Sequence, residues 1–181
     1  MKTALILVDI QNDYFPGGKS ELSGAEAAAA AARKILRIFR VHEWPVFHIR
    51  HIAQDEGASF FLPDTPGSEI AKTVSPLPNE EVFIKHAPNS FIGTPLGAAL
   101  TSLGVERVVI AGMMSHMCID STTRAAGELG YEVLLVHDAC ATKALAFGGE
   151  VIPAMQVHTA FMAALRAFAR VVSSEELKEL L

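Results

Sequence analysis

Cysteine is scarce in this chain: Cys118 and Cys140 are the only two in 181 residues. They lack CxxC spacing and fall at the far ends of two different predicted strands, which excludes a disulfide framework or a cysteine-ligated structural zinc site. Lysine and arginine form no run, and the formal net charge is −5 with a pI of about 5.8. Such a chain has no electrostatic footprint for nucleic acid or an anionic membrane, so neither partner is expected. Long apolar runs are absent too. The stretch over 3–8 is far too short to span a membrane and no small-residue cleavage site follows it, so the sequence reads as cytoplasmic. No internal repeat, low-complexity tract or linker interrupts residues 1–181, whose length suits one domain.

What is present is apolar and periodic. Half of the residues are hydrophobic, enough for a sizeable core. Short apolar runs predict strands over 5–8, 46–50, 81–85, 108–111, 131–137 and 170–173. Helices are predicted over 24–41 with Ser23 as N-cap, over 67–74, from Pro95 to Leu103 with Gly104 closing it, from near Cys118 to before Gly130, and over 151–168. A last helical turn is capped by Ser174-Glu175-Glu176. Strands alternating with helices imply a three-layer α/β/α architecture around a doubly wound, mostly parallel sheet of about six strands.

In such a sheet the strand ends share one crevice, where ligands bind. Asp9 ends the first predicted strand, Lys85 the third, and Cys118 opens the helix after the fourth. A helix N-terminus and a nearby cation both favour thiolate over thiol, so Cys118 is expected to have a lowered pKa. A thiol, a carboxylate to take its proton and an ammonium to balance both anions suit acyl transfer. Lys85 has a second possible role as a Schiff-base amine, but a carboxylate-paired lysine stays charged and attacks poorly. His48 and His51 fall on opposite faces of a strand, poor geometry for one metal. His116 lies inside the nucleophile turn.

Asp9 in LVDIQNDYF, Lys85 in IKHAPNSF and Cys118 in GMMSHMCIDSTTRAA resemble the Asp-Lys-Cys triad of the isochorismatase-like cysteine hydrolases, a family that includes nicotinamidases and N-carbamoyl amidohydrolases. The likeness runs through Asp138-Ala139-Cys140 to Gln156-Val157-His158. It implies that Cys118 attacks a carbonyl carbon, that Asp9 acts as base and then acid, and that Lys85 holds the charges. It also implies a cis peptide between Met113 and Met114 and an oxyanion hole formed by the N–H groups of Met114 and Cys118. Tyr14 matches the position of an aromatic substrate wall. His116, Gln11, Asn89 and Phe91 are further substrate-binding candidates, while Phe60 and Phe61 lie in a loop over 54–66 that is long enough to cover a site.

Two departures narrow the expectation. Isochorismate-cleaving members resemble this chain in fold but lack the nucleophilic cysteine, so Cys118 points to amide-type C–N bonds. Nicotinamidases carry an Asp-x-His and a further metal-binding His, whereas this chain has Arg50-His51-Ile52. No metal or other cofactor is expected. The expected protein is a cysteine hydrolase of a small amide, carbamoyl or cyclic amide, working through a thioester on Cys118. Its rivals are a thiol redox sensor, with Cys140 as resolving partner, and a catalytically silent ligand-binding scaffold. Family members are often oligomeric, which suggests a homo-oligomer. Phe161, Met162, Leu165 and Phe168 of the last long helix would serve either an interface or the core.

Overall fold

The computed structural model describes residues 1–181. Eight strands are present: β1 Thr3–Val8, β2 Val46–His51, β3 Glu81–Lys85, β4 Arg107–Met113, β5 Glu132–Ala141, β6 Leu145–Phe147, β7 Glu150–Ile152 and β8 Arg170–Val172. Five α-helices accompany them: α1 Ala25–Val41, α2 Leu96–Ser102, α3 Asp120–Glu128, α4 Ala154–Leu165 and α5 Ser174–Lys178. Six strands form one sheet in the order β3-β2-β1-β4-β5-β8, and every pairing in it is parallel. The expected three-layer doubly wound fold is the observed one.

Burial explains why the strands read as unbroken apolar runs. All six residues of β1 are buried, and alternate side chains feed opposite layers. Leu5 and Leu7 join α1 and α5 in one cluster, whereas Ala4, Ile6 and Val8 join α2, α3 and α4 residues in the other. Helix α1 presents Ala25, Ala28, Ala29, Ala32, Ile35, Leu36 and Phe39 along one buried stripe. Its alanines let the backbone lie close to the sheet, while Ile35, Leu36 and Phe39 each contribute roughly 1.5–3 kcal/mol of burial.

Several predicted boundaries move. The N-cap of α1 is Gly24, at φ 77°, while Ser23 bridges to Thr142. The predicted helix over 67–74 is instead two 3₁₀ turns, Pro66–Ser68 and Lys72–Val74. The last long helix starts at Ala154, because residues ahead of Pro153 form the β6–β7 hairpin around Gly148-Gly149. Both glycines have positive φ, as a two-residue hairpin loop requires. The terminal cap is Ser173, whose hydroxyl accepts from Glu176 N in a capping box.

Of the four apolar residues proposed for either core or interface, two are core and two stay half-buried at the surface. Met162 and Leu165 are buried, Phe168 lies under the Arg124 guanidinium, and Phe161 faces His116. No helix is long and apolar enough to cross a membrane.

Candidate active site

The order of the sheet reverses between β1 and β4, and this is where an open α/β sheet forms its ligand crevice. Val8 is in register with Gly112, so Asp9 emerges beside the turn that follows β4. Gly112 has φ 136°, and a Cβ there would occupy the Val8 carbonyl. Only glycine lets β1 and β4 approach this closely. Asp9 itself sits at φ 51°, a left-handed conformation that aspartate tolerates better than most residues and that turns the chain sharply at the strand end.

After β4 the Met113–Met114 peptide is cis, and a π-helical turn, Ser115–Ile119, leads into α3. The helix therefore winds earlier than its sequence pattern indicates. Met117 N and Ile119 N both donate to the Met114 carbonyl, which places Cys118 inside the turn.

Lys85 lies two strands from β1, about 10 Å at ordinary strand spacing. Its long side chain crosses that gap past β2. Nζ is 2.8 Å from Asp9 Oδ2, 3.2 Å from Cys118 Sγ, 2.9 Å from His51 Nδ1 and 3.0 Å from the Ala87 carbonyl. Asp9 and Lys85 are fully buried and Cys118 is 6% exposed. Three residues predicted to converge are thus brought together.

The electrostatics differ from expectation in one respect. Burial pulls the Lys85 pKa down, but Asp9 and Cys118 outweigh it, so the amine stays an ammonium. For Cys118, burial and the Asp9 charge push the thiol well above its ordinary value, and Lys85 only partly opposes them. The expected lowering does not occur. A helix terminus and one cation cannot offset desolvation plus an adjacent carboxylate. The thiol therefore keeps its proton beside the Lys85–Asp9 salt bridge. Asp9 Oδ1 has no hydrogen-bond partner in the protein, which leaves one carboxylate oxygen available as a proton acceptor.

His51 belongs to this centre although sequence reasoning set it aside. It is opposite Lys85 in the β2–β3 register, and burial and the Lys85 charge hold its pKa below the usual imidazole value. Its neutral ring accepts from Lys85 through Nδ1.

Asp13 was missed as well. Buried beside Gly67, it accepts from Phe61 N at 2.7 Å and Lys19 N at 3.2 Å, clamping the loop over 54–66 to the loop after β1.

The substrate-binding candidates divide. Tyr14 is buried close to Asp9, and desolvation followed by the Asp9 charge raises its pKa. Its ring meets Phe61 at 4.6 Å and Phe60 at 5.9 Å. His116 is half-buried on the nucleophile turn, with Nδ1 2.6 Å from Thr142 Oγ1. Gln11 is corrected: its amide is fully buried and spent on His51 N, His51 O and Ser68 O, so it fixes loops. Asn89 is half-buried after β3, and its Oδ1 accepts from Phe91 N within a local turn. Phe91 stacks on Tyr131, next to the amino end of β5 and away from the crevice.

Cys140 is buried, with Sγ 3.3 Å from Val136 O and its thiol pushed up to about 12 by burial. Asp9, His51 and Cys118 offer ligand atoms within 4.8 Å of one another, the kind of cluster that holds a metal. Here the Lys85 ammonium already contacts all three, so a metal ion would have to displace it. A pocket of about 350 Å³ opens against His51 under the 53–61 loop. Three larger hollows lie elsewhere, one at the opposite sheet edge around Trp44, one between α1 and α4, and one beside α4 around His158 and Arg166.

A doubly wound sheet whose crevice joins a thiol, a carboxylate and an ammonium defines a hydrolase of the isochorismatase type. The chain belongs to the isochorismatase family: the isochorismatase domain model matches residues 3–176. It is 50% identical to the isochorismatase family protein YddQ of Bacillus subtilis (strain 168), over 97% of this chain and 98% of that protein. Its fold superposes on an isochorismatase hydrolase structure from Oleispira antarctica with a TM-score of 0.93, at 49% identity over 97% of this chain and 95% of the other. Among relatives with a stated activity, it is 38% identical to a streptothricin hydrolase of Streptomyces noursei, over 77% of this chain and 49% of that protein. It is 26% identical to the N-carbamoylsarcosine amidase structure from Thermoplasma acidophilum, with a TM-score of 0.80, covering 96% and 97% of the two chains.

Proposed function

We propose that this hydrolase cleaves a C–N bond of a small amide, carbamoyl or cyclic amide through a thioester on Cys118. One observation carries the reading: a buried ammonium sits 2.8 Å from a carboxylate and 3.2 Å from a thiol. Two relatives whose names state hydrolase or amidase activity support it.

In the first step Asp9 takes the thiol proton as Sγ bonds to the substrate carbonyl carbon, and the carbonyl electron pair moves to oxygen. Backbone N–H groups of Met114 and Cys118 are assigned to that oxyanion, each contributing about 2.7–4 kcal/mol in comparable sites. The C–N bond then breaks as Asp9 returns the proton to the leaving nitrogen. Water, deprotonated by Asp9, attacks the thioester and releases the acid, and the proton restores the thiol. Throughout, Lys85 remains an ammonium, paired with Asp9 and balancing the transient thiolate. His51 holds Lys85 in place through Nδ1. No step uses a metal.

A panel of small amides is screened for ammonia or amine release. The active compound is then followed by intact-mass spectrometry at short times, where a Cys118 acyl adduct is expected. Cys118→Ala is expected to lose turnover while keeping its thermal midpoint, and exhaustive chelation is expected to leave turnover unchanged. Retained turnover in Cys118→Ala would remove the thioester from the mechanism. Loss on chelation, reversed by zinc, would favour the metal-assisted alternative.

A further inference from the structure

Beside the buried centre, the 350 Å³ pocket is walled by two unlike sets of groups. On one side stand His51 and the half-buried Phe60, with Phe61 behind it, and Phe60, Phe61 and Tyr14 form a mutual aromatic cluster with centroids 4.6–5.9 Å apart. On the other side are Asp55 and Glu56, exposed at the mouth and paired with no cation. No lysine or arginine lines the pocket. The nearest cations are committed elsewhere: Lys85 to Asp9, and Arg50 to Glu69 and Ser68. Aromatic faces and unpaired carboxylates both attract positive charge.

We infer that this pocket selects amides bearing a positively charged group, with Asp55 as the specificity-determining residue. The inference rests on the thioester reading, since the pocket matters only if the scissile bond sits at Cys118. The amide end of the substrate reaches past His51 to Sγ, and a cationic end lies against the Phe60 ring with Asp55 at the mouth. A carboxylate-bearing amide would be desolvated against two unpaired acids, which disfavours it. The charge of Asp55 also reaches inward, because it bears on the His51 ring, raising its proton affinity against the dominant effect of burial. Asp55 holds the loop through its backbone carbonyl, which accepts from Ala58 N, and Gly57 adopts φ 91°, so side-chain substitutions of Asp55 are expected to fold.

The test measures the rate of Cys118 modification, site-mapped by mass spectrometry, with three haloacetyl reagents of similar size: one carrying a quaternary ammonium, one neutral and one carboxylate. Wild type, Asp55→Asn and Asp55→Lys are compared. The cation-to-anion rate ratio is expected to fall about fivefold in Asp55→Asn and further in Asp55→Lys, with the preference compressed by salt. A ratio identical in all three proteins overturns the pocket's role and leaves the thioester reading intact. A Cys118 that no reagent reaches overturns the thioester reading and the pocket's role together.

Discussion

Replacing Asp9 with asparagine separates the two roles assigned to its carboxylate. The substitution keeps the shape and removes one negative charge from a pair with no exposed surface. Breaking a buried ion pair from one side typically costs about 3–5 kcal/mol, because the remaining charge stays desolvated. For a chain of this length each kcal/mol lowers the midpoint by roughly 2–4 °C, so a fall of about 6–20 °C is expected by calorimetry. Turnover is expected to vanish, since no group remains to accept the thiol proton. The thiol, however, is expected to become more acidic: Asp9 is the charge that, with burial, holds it up, and Lys85 is left to favour the thiolate. Removing that like charge favours the thiolate, so the pH profile of Cys118 alkylation is expected to shift downward. An enzyme that is inactive yet more readily alkylated at neutral pH would be the signature. An unchanged profile, or one displaced upward, would refute the assignment of Asp9 as the base.

Gly112→Ala is expected to cost more than about 2 kcal/mol and to reduce turnover, because the added methyl must push β1 from β4 and carry Asp9 away from Cys118; denaturant unfolding at near-wild-type midpoint would contradict this packing. Asp13→Ala leaves the buried Phe61 N–H without an acceptor, a loss of about 1.5–3 kcal/mol that frees the loop over 54–66, and limited proteolysis is expected to cut there first. Thermal stability is expected to fall as pH drops from 7.5 to 5.5. Burial lowers the pKa of His48, His51, His116 and His158, so the unfolded chain binds protons near pH 6.5 that the folded chain still refuses. Each histidine that stays neutral contributes a slope of up to about 1.4 kcal/mol per pH unit, with the 1%-exposed His48 closest to that limit. Below pH 4.5 the same sign continues through Glu80, held at about 2 against burial by Arg40, the Leu77 N–H and His48. A midpoint that stays flat or rises on acidification would contradict the argument.

The apolar runs by themselves determined the alternation of strand and helix, the parallel sheet, and the placement of Asp9, Lys85 and Cys118 on its carboxyl edge, because side-chain periodicity and strand-end position are local properties. They did not determine where α4 begins, since Leu145 to Ile152 is hydrophobic enough to continue a helix and only Gly148-Gly149 marks the hairpin. Side-chain assignments failed where long-range partners decide. Gln11 has the chemistry of a ligand-binding amide, but backbone groups of His51 and Ser68, distant in sequence, consume it. His51 enters the site only because β3 lies beyond β2, which obliges the Lys85 side chain to pass it on the way to Asp9. The acidity of Cys118 likewise belongs to the assembled molecule: sequence supplies the helix terminus and the lysine, but the depth of burial and the distance to a carboxylate decide that the thiol keeps its proton.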